Sequence, residues 1–210
     1  MKSIHDYWVQ LITQYTSDTV LIEKLFDEVK SSYSESSRHY HTLSHLEALL
    51  KFSEEYQSQL QYKRIVDFAI FYHDVVYKST RSDNEEKSAQ IANERLLQIN
   101  FPDAERKVVV DFILATKSHA IQPSLYENDL KWFLDFDLSV LGATEEVYLE
   151  YVSNIRKEFK IYPDLLYKPG RRKVLQHFLE MDFIFKTEEF RGRFEKQARI
   201  NLQKELELLK

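Results

Sequence analysis

The chain has 210 residues, 43% of them hydrophobic and 30% charged, enough to bury one substantial core and unlike the composition of a disordered polypeptide. Its 29 Lys and Arg against 34 Asp and Glu leave a net charge of -5, so no global positive field draws nucleic acid. The absence of cysteine excludes disulfides, thiolate metal sites and cysteine nucleophiles, and leaves nitrogen and oxygen as the only strong metal ligands.

Three glycines and four prolines leave room for few tight turns, and apolar residues recur at spacings of three and four. The expectation is an all-α, single-domain helical bundle over 1–210, with helices at 3–16, 18–33, 42–58, 62–77, 84–99, 103–118, 127–134, 136–141, 144–161, 164–186 and 188–209. The first segment, "MKSIHDYWVQLITQYT", has regularly spaced polar residues and lacks the apolar run of a signal peptide. No stretch reaches the roughly 18–20 apolar residues of a membrane span, so a cytoplasmic protein with no membrane partner is expected. "SSYSESS" at 31–37 reads as a loop. Asp83 or Asn84 is expected to cap the helix whose first turn holds Glu85 and Glu86. Pro102 and Pro163 mark helix starts. The last segment is an amphipathic closing helix whose pattern would serve a homodimer contact equally well.

Four clusters carry candidate chemistry. In "RHYHTLSHLEALL", three of the seven histidines gather, and His41 and His45, four apart on a helix, present Cβ atoms about 6 Å apart on one face. Such a pair also arises as ordinary surface imidazoles. In "DFAIFYHDVVY", His73 and Asp74 interrupt a strongly apolar helix, where an unpartnered carboxylate resists leaving water; a hydrogen-bonded His-Asp pair is the bland alternative. "LATKSH" brings Lys117 and His119 to a helix end, and "FLDFDLSVLG" sets Asp135 and Asp137 among apolar neighbours, where either a dipole interaction or a cap would also suit.

Taken in order, these clusters resemble the HD superfamily of metal-dependent phosphohydrolases, and most closely a bacterial subgroup described as predicted metal-dependent HD phosphohydrolases. The resemblance covers most of the chain, with the metal-site core at about 38–142 and C-terminal helices at about 144–209 packing on it. It implies a divalent ion held by His45, His73, Asp74 and Asp137, with Asp137 preferred to Asp135 because the family's aspartate typically stands in an "AD-x-L"-like context, which "FDLSVL" fits approximately. "YHTLSHL" is similar to a segment of cyclic-nucleotide phosphodiesterases, which makes His45 the ligand and His41 the proton donor. The pattern of stringent-response hydrolases fits His41 as first ligand, so both stay open, with His45 preferred. His119 falls where some subgroups contact phosphate or a second metal, and Glu85 or Glu86 where others place an acid on water. Arg38 and Lys117 stand beside these residues and are candidates to meet phosphoryl oxygens, with "KPGRRK" a further cationic turn.

The implied activity is hydrolysis, by metal-activated water, of a phosphoester in a nucleotide or other small phosphorylated metabolite. Nitrogen and oxygen ligands suit Mn, Fe, Ni, Zn, Co or Mg. The competing readings are an HD-type di-iron oxygenase and a non-catalytic helical ligand-binding or regulatory protein that keeps the metal site.

Overall fold

The structure, a computed structural model, describes residues 2–121 and 123–209, and every regular element among them is helical. No helix among the described residues is long and apolar enough to cross a membrane. By internal contacts the chain falls into two compact units, 1–133 and 134–210.

The first unit holds α1 (Ile4–Ile12), α2 (Thr19–Tyr33), α3 (Leu43–Glu55), a 3-10 turn (Gln57–Gln59), α4 (Lys63–Tyr72), α5 (Asn84–Gln98), α6 (Asp103–Ala115) and the first residues of α7 (Glu127–Leu138). Its centre is α4, buried at every position from Ile65 to Tyr72, as a helix apolar on all sides must be. Trp8 of α1 is fully buried against the rings of Phe68, Phe71 and Tyr72, and its indole N–H donates to the Ile22 carbonyl at 3.1 Å. Two helix starts follow local rules: Ser3 and Asp6 form a reciprocal capping box on α1, and Asp18 accepts from the Leu21 N–H on α2. α4 is capped from a distance instead. Asp129 of α7, itself buried, accepts from the N–H groups of Gln61 at 3.0 Å and Tyr62 at 2.6 Å.

The expected cap of α5 is not made by either candidate. Asp83 precedes the helix, but Arg81 takes its carboxylate through two bonds of 2.8 and 2.7 Å. Asn84 turns back and exchanges two bonds with the backbone of Lys78.

The second unit contains the end of α7, a 3-10 turn (Ser139–Gly142), α8 (Glu145–Glu158), α9 (Asp164–Glu180), α10 (Glu188–Phe190), a π turn (Arg191–Glu195) and α11 (Lys196–Leu208). The break predicted at Asp135 is absent because its carboxylate does not cap its own helix. It is buried and accepts from the Lys186 N–H at 2.6 Å, the Thr187 N–H at 2.8 Å and the Thr187 hydroxyl at 2.7 Å, anchoring the start of α10. Burial pushes this carboxyl up to about 6 despite those donors. "KPGRRK" is the interior of α9, which runs through Pro169, rather than a turn. Arg171 is buried there and forks onto Glu205 of α11 at 2.7 and 3.0 Å, so it is a structural cation. The π turn passes Gly142 so closely that a Cβ there would stand 2.5 Å from the Phe194 Cβ.

Candidate metal centre

Two helix ends of the first unit build the site. His45 lies in the first turn of α3, and His73 is the residue on which α4 stops. The apolar pattern predicts a helix continuing to Tyr77, yet α4 ends five residues earlier, because tertiary partners take the backbone groups that would extend it. The His73 Nδ1 lies 2.9 Å from the Ile70 carbonyl, and the Asp74 N–H donates to the Tyr33 hydroxyl at 3.1 Å. Arg38 donates to the carbonyls of Asp74 at 2.7 Å and Val75 at 3.0 Å, while Val76 exchanges bonds with the buried Ser88 hydroxyl. This early stop matters for geometry. At this helix end, where His73 keeps right-handed helical backbone angles, its ring and the Asp74 carboxylate approach within 3.3 Å.

The three side chains His45, His73 and Asp74 offer ligand atoms that all lie within 4.8 Å of one another, two of the residues buried and the third half-buried. The two imidazole Nε2 atoms are 3.1 Å apart. A bond from His73 Nδ1–H to the Ile70 carbonyl leaves the Nε2 lone pair directed into the group, the usual arrangement of a ligating histidine. The spacing fits a shared ion. Two bonds of about 2.0–2.1 Å at tetrahedral or octahedral angles place their nitrogens roughly 2.9–3.4 Å apart. Two imidazoles and one carboxylate are a donor set for a divalent first-row ion.

His41 stands beside the group. Its Nε2 is 3.8 Å from the Asp74 Oδ2, and its ring stacks on Tyr77 at 4.0 Å and 29°. Of the two histidines that compete for the first ligand position, His45 is the one inside the three-residue group. Arg38 is turned away from an anion-binding role: its Nη atoms donate to backbone carbonyls, including that of His41 at 3.3 Å. Lys117 likewise holds the Ser82 carbonyl at 2.9 Å and the Glu86 carboxylate, tying the end of α6 to the start of α5. Glu85 is half-buried in the first turn of α5. His119 sits in the left-handed region, φ 51°, as its N–H closes the end of α6 onto the Ala115 carbonyl at 2.8 Å. Asp137 is half-buried near the end of α7, within the second unit.

Three contributors have no local signal in the sequence. Tyr33 reaches Asp74 across 41 positions, Ser88 reaches Val76 across 12, and Tyr77 underlies His41 although the apolar pattern assigns it to a helix. No protein-family model, curated protein or solved structure matches the chain.

Proposed function

We propose that the chain is a metal-dependent phosphohydrolase of the HD type, in which His45, His73 and Asp74 hold a divalent ion and the substrate is a nucleotide or other small phosphorylated metabolite. The observation that supports it most is the convergence of these three donors within 4.8 Å, with the imidazole nitrogens 3.1 Å apart. The ordered His, His-Asp, His, Asp clusters of the sequence are its other support, and Asp137 enters as a further ligand on that pattern alone. When bound, such an ion supplies a Lewis acid for a phosphoryl oxygen and lowers the pKa of water. His41 is the proton donor to the leaving oxygen in this reading, because its Nε2 lies beside the group without belonging to it and Tyr77 holds its ring.

The test joins elemental analysis with a hydrolysis screen over nucleotides, cyclic nucleotides and sugar phosphates. Wild type is expected to carry a divalent metal and release product from a member of the panel. The His73→Ala/Asp74→Ala variant should lose the metal, with affinity reduced by more than about a hundredfold, since even outer-shell changes cost 10–100-fold. Unchanged metal content in that variant would sink the assignment. Metal without hydrolysis would favour a binding protein, and oxygen-dependent turnover an oxygenase.

A further inference from the structure

Resting on the metal reading of the same group, we propose that Arg38 is a positioning residue, which sets the spacing of the donors by bolting the segment entering α3 to the turn that follows α4. Arg38 is 5% exposed and makes no ion pair with a carboxylate among the described residues. A buried cation in that state is costly, so what holds it is informative. It is held by three carbonyls and two aromatic faces. Nη1 donates to His41 and Asp74, Nη2 donates to Val75, and the guanidinium lies 4.9 Å from the Tyr33 ring centre and 5.7 Å from that of Tyr77.

Those acceptors are not scattered. His41 lies four residues before the ligand His45, while Asp74 and Val75 follow the ligand His73. A planar fork of donors can therefore span the two halves of the donor set, which a single ammonium cannot do in the same geometry. Arg38 also supplies donors to the carbonyls of Asp74 and Val75, which the end of α4 leaves without helical partners. Loss of that fork removes a tie between the segment entering α3 and the turn after α4, and with it a constraint on the 3.1 Å spacing of the two imidazole nitrogens.

The test compares wild type with Arg38→Lys and Arg38→Met as full chains, using Co(II) as the metal probe and far-UV circular dichroism as the check of folding. Both variants should keep their helical spectrum yet bind Co(II) at least tenfold more weakly, with an altered visible d–d spectrum; lysine should not rescue. A folded Arg38→Lys protein with wild-type Co(II) affinity and spectrum overturns the proposal. Imidazole 15N spectra recorded without metal give a separate readout. The Nε2 signals of His45 and His73 should shift in Arg38→Lys, and unchanged signals overturn the positioning role. Wild type that takes up no Co(II) instead sinks the metal reading, whatever the imidazole signals show. Should neither variant fold, Zn(II) added to wild type must shift the Nη resonances of Arg38, and resonances that stay fixed while zinc binds overturn the proposal.

Discussion

The α3–α4 pair carries buried polar groups towards both ends, and the two ends gather different chemistry. Asp67, about 9 Å along α4 from His73, is a buried carboxylate surrounded by donors. The Ser53 hydroxyl donates at 2.5 Å and Lys63 at 2.7 Å, and Lys63 also reaches Glu54 at 2.9 Å and the Tyr7 hydroxyl. At the other end, His45, His73 and Asp74 bring two imidazole nitrogens and a carboxylate to one point, a group that could hold a cation. A cleft of about 480 Å³ runs beside the Asp67 end. A carboxylate met by the protein's own donors is a brace, whereas two imidazoles and a carboxylate within 4.8 Å could hold a metal ion.

The largest effect should come from breaking the brace. Asp67→Ala leaves the Lys63 ammonium and the Ser53 hydroxyl without their buried acceptor, and unfolding in denaturant should show a loss of about 3–5 kcal/mol. The same variant should bind divalent metal as wild type does. A concurrent loss of metal would mean that the two ends are one cooperative unit and would break the distinction. Next in size is the response to metal itself. At about a hundredfold above its dissociation constant, Co(II) should stabilise wild type by about 2.7 kcal/mol and leave His73→Ala/Asp74→Ala unmoved. An equal gain in both proteins would place the ion elsewhere.

The sequence carries these two ends with unequal clarity. Helical periodicity and the scarcity of glycine make the all-α fold readable, and His45, His73 and Asp74 stand out because polar residues interrupt apolar runs. What periodicity misses is competition for backbone groups. The run from Phe68 to Tyr77 is helical by pattern, but Tyr33 and Ser88, each from a distant position, claim the N–H groups of Asp74 and Val76 that would extend α4, and Arg38 takes carbonyls of the turn that follows. The same blindness explains Asp135, which looks like a break in α7 and is an anchor for residues 51 and 52 positions later. Arg38 and Lys117 read as cations free to meet a phosphate; their engagements with carbonyls and with Glu86 are tertiary facts that adjacency in sequence does not express. Asp67 itself is a boundary letter in an apolar segment until Ser53 and Lys63 are seen around it.

The smallest of the three effects probes the brace through its pH dependence. Burial raises the Asp67 carboxyl above its ordinary range, and the bonds from Lys63 and Ser53 only partly oppose that shift. A carboxyl whose folded value lies above its unfolded one contributes stability that is fully present below the unfolded value and is lost as pH rises through the folded one. Ser53→Ala removes one of the groups that favour the charged form, so it moves the folded value further up. The variant should therefore be about 1–2 kcal/mol less stable than wild type at neutral pH, with a smaller deficit in acid, where Asp67 carries its proton in both proteins. Denaturant unfolding of the two proteins across the acid range measures the difference. A deficit that is the same at every pH would show that Ser53 contributes packing alone, and that Asp67 is held by Lys63 without its help.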